Sequence, residues 1–214
     1  MAFRKLSFID QCLSEIDHFI HSVILPATSS ARPSPAESFE EADLSEKEAR
    51  HVRGLMRVDH TGEICAQALY RGQAFVAKDM KTKVHLYQAA SEEYDHLAWC
   101  EARLNALSAK KSLLNPLWYL GSFTIGAAAG CISDKISYGF VMETEKQVMR
   151  HLESHLRELP IQDRKSRAVL AQMYEDEKSH ATQAECAGGI KLPLALRGIM
   201  KLQSKVMTTL VYRV

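Results

Sequence analysis

The sequence contains no Cys-x-x-Cys pair, and its five cysteines (Cys12, Cys65, Cys100, Cys131 and Cys186) stand singly. An odd, scattered set excludes a disulfide framework and a zinc knuckle, and fits a reducing compartment. Net charge is nearly absent too: 27 basic against 26 acidic residues leave +1. With no global cationic excess to neutralise phosphates, no nucleic acid is expected as a partner. No Gly-x-Gly-x-x-Gly follows a strand-like run, so a built-in Rossmann cofactor domain is excluded. The opening Met-Ala-Phe-Arg-Lys lacks the apolar stretch of a secretory signal, and Asp10, Glu15 and Asp17 disfavour a mitochondrial presequence. The expectation is the cytoplasmic side of a membrane.

Two further absences are local. Residues 112–133 carry no charged side chain, and beyond Glu185 there is no acidic residue while Lys191, Arg197, Lys201, Lys205 and Arg213 are basic. The uncharged run is as long as a membrane span, and Gly126-Ala-Ala-Ala-Gly130 fits a close-packing motif. Asn115, Pro116, Ser122, Thr124 and its glycines lower its apolarity. An interfacial or substrate-lining element is expected, with a buried crossover and a true span as the other readings. In the basic tail, Arg197, Lys201 and Lys205 share one helix face, beside a stripe of Ile199, Met200, Gln203, Val206, Met207 and Leu210. That pattern suits a helix lying on an anionic membrane, with a tail docked on the bundle close behind as the other reading.

What the chain does have is a repeated motif, in 214 residues that are 46% hydrophobic and 25% charged, enough for one well-cored domain. Glu93-Tyr-Asp-His96 recurs as Glu177-Lys-Ser-His180. One Glu-x-x-His is weak, because positions three apart share a face of any helix. The pairing strengthens it: Glu63 lies 30 residues before Glu93, and Glu145 lies 32 before Glu177. In an antiparallel helix pair such carboxylates meet the motif only if the turn falls midway, near residues 78 and 161. Ala77-Lys-Asp-Met-Lys-Thr82 breaks the apolar pattern at the first, and Pro160 stands at the second.

The expected elements follow. Leu6, Ile9, Leu13, Ile16, Phe19, Ile20 and Val23 predict a packing helix over residues 4–25. Pro26 to Pro35 reads as a linker, and Ser45-Glu-Lys-Glu48 as a capping box opening the first long helix. Gly62 inside that helix implies a close approach, either of another helix or of a metal. Further helices are expected over about 82–108, 134–158 and 163–187, with Gly188-Gly189 ending the last. The fold class is all-α: a ferritin-like four-helix bundle over residues 46–214, with an N-terminal helix and linker over 1–45, an apolar crossover at 112–133 and a basic C-terminal helix within 190–214.

Four inward carboxylates (Glu63, Glu93, Glu145, Glu177) and two imidazoles (His96, His180) match the donor set of ferritin-like di-iron and di-manganese bundles. Two divalent cations balance four carboxylates, and without them burial of these groups is costly. Structural zinc favours Cys and His, and calcium needs no imidazole, so iron or manganese fits better. Glu143 is the alternative to Glu145. Asp59, Asp95 and Asp176 sit where they could orient a ligand imidazole.

At Arg57-Val-Asp-His-Thr-Gly-Glu63, Tyr70-Arg-Gly-Gln73, Glu92-Glu-Tyr-Asp-His-Leu97, Asn115-Pro-Leu-Trp-Tyr-Leu-Gly121, Val141-Met-Glu-Thr-Glu145 and Asp176-Glu-Lys-Ser-His180 the chain resembles the demethoxyubiquinone hydroxylase family. The resemblance runs from about residue 46 to the C-terminus. It implies two iron ions on Glu63, Glu93, His96, Glu145, Glu177 and His180, with Glu93 and Glu177 bridging. It implies an O2-dependent monooxygenase hydroxylating the ring of a 2-polyprenyl-3-methyl-6-methoxy-1,4-benzoquinone or its quinol in ubiquinone biosynthesis. Electrons would come from a partner reductase, the quinol itself or NADH. A peripheral place on the inner membrane, in a complex with other pathway enzymes, is also implied. Another di-iron role on the same bundle, iron storage or peroxide reduction, is the rival reading, and a non-enzymatic helical scaffold is a second.

Overall fold

A computed structural model describes residues 7–27 and 30–214. Its elements are helices, with no strand among the described residues. Helix α1 spans Phe8–Phe19 and runs into a π-helical turn over Ile20–Ile24; α2 spans Glu46–Val76, α3 Met80–Ala106, α4 Asn115–Ile132, α5 Asp134–Glu158, α6 Arg164–Cys186 and α7 Leu194–Val211. The four long helices α2, α3, α5 and α6 make the bundle. Helix α2 packs on α3, and α5 on α6; the two pairs meet along α2 with α5 and α3 with α6.

Local chemistry sets the ends. Ser45 and Glu48 form the expected reciprocal cap of α2, while Asp79 and Asp163 accept backbone N–H groups at the starts of α3 and α6. Gly188, at φ 95°, closes α6 in a conformation open mainly to glycine. Both turns fall where the spacing argument needs them, between Val76 and Met80 and between Glu158 and Arg164.

The core is divided lengthwise. Val52, Leu55, Met56, Trp99, Leu104, Leu152, Leu170 and Met173 fill one part. Leu69, Tyr70, Leu86, Ala90, Tyr138, Met142 and Ala184 fill another. The Glu and His of the repeated motif lie between these groups along each helix.

Helix α4 is not a span: no helix among the described residues is long and apolar enough to cross a membrane. It lies along α2 at backbone distance. A Cβ at Gly126 would stand 2.1 Å from the Leu69 carbonyl oxygen, and one at Gly72 2.1 Å from that of Phe123, so small residues permit the approach. Gly62 answers differently. A Cβ there would meet nothing within 4 Å, and Gly62 lines a cavity instead of a helix contact.

The N-terminal segment departs most from expectation. Residues 4–6 of the expected helix lie outside the described residues, and the remainder is helical, but its apolar stripe faces outward. Phe8, Ile9, Leu13, Ile16 and Ile24 are exposed, whereas Glu15 points inward to Arg71 (2.7 Å) and the Tyr87 hydroxyl (2.9 Å). Among the described residues of this helix, Phe19 and Val23 join the core, against Ile64, Ala68, Leu97 and Tyr119. Periodicity finds an apolar face without saying which way it turns.

Candidate metal centre

Each helix of the bundle contributes to one buried cluster. Glu63 comes from α2, Glu93 and His96 from α3, Glu145 from α5, and Glu177 and His180 from α6. Their donor atoms fall into two overlapping groups: Glu63, Glu93, His96 and Glu177, and Glu93, Glu145, Glu177 and His180, the atoms of each lying within 4.8 Å of one another. Glu93 and Glu177 belong to both. His96 Nδ1 stands 3.0 Å from Glu93 Oε2 and from Glu177 Oε1, and His180 Nδ1 stands 3.0 Å from Glu93 Oε1 and from Glu177 Oε2. Each shared carboxylate therefore turns one oxygen toward each imidazole.

The outer nitrogens are held reciprocally. His96 Nε2 lies 2.9 Å from Asp176 Oδ2, and His180 Nε2 lies 3.0 Å from Glu92 Oε2. In both cases the acceptor is the residue just before the Glu-x-x-His of the opposite helix. An ionised carboxylate only accepts, so Nε2 carries the proton and the Nδ1 lone pair is left facing the centre. Arg32 anchors the first of these pairs. It contacts Asp176 (2.8 Å) and Asp95 (2.9 Å) and lies over the Trp99 ring at 4.8 Å. The expected linker is thus pinned across α3, with Ala27 N–H on Glu101 and Ala31 N–H on Asp95 as well; residues 28 and 29 lie outside the described residues.

Four carboxylates in a solvent-free core need positive charge. Burial pushes the Glu63 and Glu145 carboxyls well above their usual range, with neighbouring carboxylates adding to it. Burial also opposes ionisation of Glu93, but His180 and His96 outweigh it and hold its carboxyl below the usual range. Burial works against a charged His96, yet the facing carboxylates, Glu177 first, raise its pKa. Tyr70, fully buried, donates its hydroxyl to Glu145. Glu93 Oε1 has no hydrogen-bond donor. Protons spread over such a set satisfy it poorly, whereas cations ringed by mixed oxygen and imidazole donors satisfy it well. The buried Glu and His groups therefore suggest a metal site.

All six residues picked out by spacing come together, and Glu145 rather than Glu143 reaches the cluster. Glu143 is engaged elsewhere, by Arg197 (3.0 Å) and Gln147 (2.9 Å), which also removes Arg197 from the free cations of α7. Of the three aspartates, Asp176 holds an imidazole directly, Asp95 acts through Arg32, and Asp59 faces His155 instead. Sequence reasoning missed Glu92 and Arg32. An acidic residue immediately before each Glu-x-x-His was a readable signal for Glu92; Arg32, inside a segment of linker composition, carried none.

A cavity, partly open to solvent, reaches Glu63. Its walls are mostly apolar, with Leu69, Trp118, Ile125, Phe140, Met200 and Met207 drawn from α2, α4, α5 and α7. The stripe expected on α7 is therefore divided. Met200, Gln203 and Met207 line the cavity, while Ile199, Leu202, Val206 and Leu210 are exposed.

A family model described as "Ubiquinone biosynthesis protein COQ7" matches residues 50–211. The chain is 61% identical over 210 residues to a 3-demethoxyubiquinol 3-hydroxylase of Francisella tularensis subsp. tularensis (strain WY96-3418), covering 98% of this chain and 99% of the relative. It is 60% identical, with the same coverage, to the protein of that name from Francisella philomiragia subsp. philomiragia. The similarity to these relatives thus takes in the N-terminal arm as well as the bundle.

Proposed function

The chain belongs to the COQ7 ubiquinone biosynthesis family, and we propose that it is a 3-demethoxyubiquinol 3-hydroxylase, an O2-dependent monooxygenase whose two iron ions are held by Glu63, Glu93, His96, Glu145, Glu177 and His180. The observation that carries the metal assignment is the pair of overlapping Glu and His groups sharing two carboxylates beside an apolar cavity. A bound iron pair would supply O2 activation and Lewis acidity.

The chain's own residues do the rest. Glu93 and Glu177, each with one oxygen toward each imidazole, would help to hold both ions. Asp176 and Glu92 fix the tautomers of His96 and His180. The Tyr70 hydroxyl steadies Glu145. The apolar walls of the cavity exclude water around a benzoquinol ring held next to Glu63, and Gln147, Gln203 and Ser122 offer hydrogen bonds to ring oxygens.

A polyprenyl substrate resides in lipid, which suits a peripheral protein on the cytoplasmic face of the inner membrane. Support comes from the outward apolar residues Leu117 and Leu120 on α4 and Ile199, Leu202, Val206 and Leu210 on α7, with Lys201 and Lys205 beside the latter. The outward stripe of α1 adds a third such face. Electrons would come from a partner reductase, the quinol or NADH.

Mass spectrometry of quinones from a strain lacking the protein tests the assignment. Demethoxyubiquinone should accumulate and disappear when the wild-type chain is restored. Normal ubiquinone in the deleted strain would overturn it.

A further inference from the structure

One helical turn from Glu63 along α2, a second set of metal-ligating side chains converges. Asp59 of α2 and His151 and His155 of α5 bring one donor atom each to within 4.8 Å of the others. Asp59 is 3% exposed and His155 4%. His155 Nδ1 lies 2.8 Å from Asp59 Oδ1, and the His151 and His155 rings are 4.0 Å apart at their centroids.

The second observation is that these groups satisfy one another only in part. Both Asp59 oxygens, His155 Nδ1 and His151 Nε2 are shielded from water. Asp59 Oδ1 and His155 Nδ1 pair at 2.8 Å, which leaves Asp59 Oδ2 and His151 Nε2 with no partner. Buried polar atoms are almost always partnered, and a buried carboxylate needs a positive charge. Among the described residues the basic group at ion-pairing distance from Asp59 is His155. No lysine or arginine fills the role.

We propose that Asp59, His151 and His155 bind a single divalent transition-metal ion, separate from the paired Glu and His groups. Two imidazoles and one carboxylate form a donor set suited to Fe(II), Co(II) or Zn(II), and leave coordination positions free. Asp59 and His151 both line the cavity, so the free side faces the space that reaches Glu63. The site stands on its own residues and does not depend on the hydroxylase reading.

The test is anaerobic titration of the full chain with Co(II), followed by visible absorption and by metal analysis after desalting. His151→Gln and His155→Gln should each hold one Co(II) fewer than wild type, with unchanged helicity by circular dichroism. Variants that keep the wild-type number would overturn the proposal. Glu93→Ala serves as the control for the paired groups. If those groups bind nothing, wild type still carries one Co(II) that His151→Gln removes, so the two readings fail separately. Because His155 is buried, anomalous diffraction from Zn(II)-soaked crystals of the unaltered chain provides a check that needs no variant. A peak between Asp59 and His155 is expected, and density there without one would sink the idea.

Discussion

The two halves of the candidate metal centre repeat in sequence and differ in what stands behind them. On one side His96 is fully buried, and its acceptor Asp176 is gripped by Arg32, itself paired with Asp95 and laid over Trp99. On the other, His180 is backed by Glu92, whose side chain is 40% exposed and whose further partner is Gln88. The inner residues match because the Glu-x-x-His motif, with a carboxylate one helix earlier, occurs twice. The outer support differs because the N-terminal arm crosses only one half, leaving the other to solvent, where an ion pair is screened and worth little.

The largest effect should come from the residues that belong to both halves. Glu93→Ala or Glu177→Ala removes a shared carboxylate, so quinol hydroxylation should be lost and both metal ions released, by product mass spectrometry and metal analysis. A variant retaining one tightly held ion would show that the halves are independent.

The next test addresses the support. Arg32→Ala leaves all six inner donors in place but frees Asp176, and should cost about 10–100-fold in metal affinity or activity, as loss of a ligand's hydrogen-bonding partner does. Glu92→Gln on the exposed side should cost less, under about 10-fold by the same scale. Equal losses from Arg32→Ala and Glu92→Gln, read from iron affinity and turnover together, would erase the asymmetry.

This division also marks what the sequence could tell. The limits of the four bundle helices were legible to within about two residues, because Ser45, Pro160 and Gly188 are local signals with local causes. The six inner residues were legible because spacing alone brings them level across a hairpin. Glu92 had a local signal, the acidic residue before each Glu-x-x-His, but its partner shows only with α6 lying opposite. Arg32 and the outward stripe of α1 were illegible for the same reason: where a segment docks is decided by tertiary contacts such as Asp95, Asp176 and Arg71, not by its own periodicity.

The smallest expected effect is a pH dependence on the supported side, in metal-free protein. Burial would raise the Asp176 carboxyl, but hydrogen bonds from His96 and Arg32 outweigh it and hold its pKa at about 2, against 3.8 for a free aspartate. A carboxylate whose folded pKa is depressed contributes stability that is fully present above the unfolded value, and that is lost as pH falls through the folded one. Wild type should therefore melt above Asp176→Asn at neutral pH, and the gap should close as pH falls from 3.8 towards 2. The carboxylate is partly exposed, so the gap should also shrink in high salt. A melting difference that stays constant across that window would mean that Asp176 supports His96 by shape and not by charge.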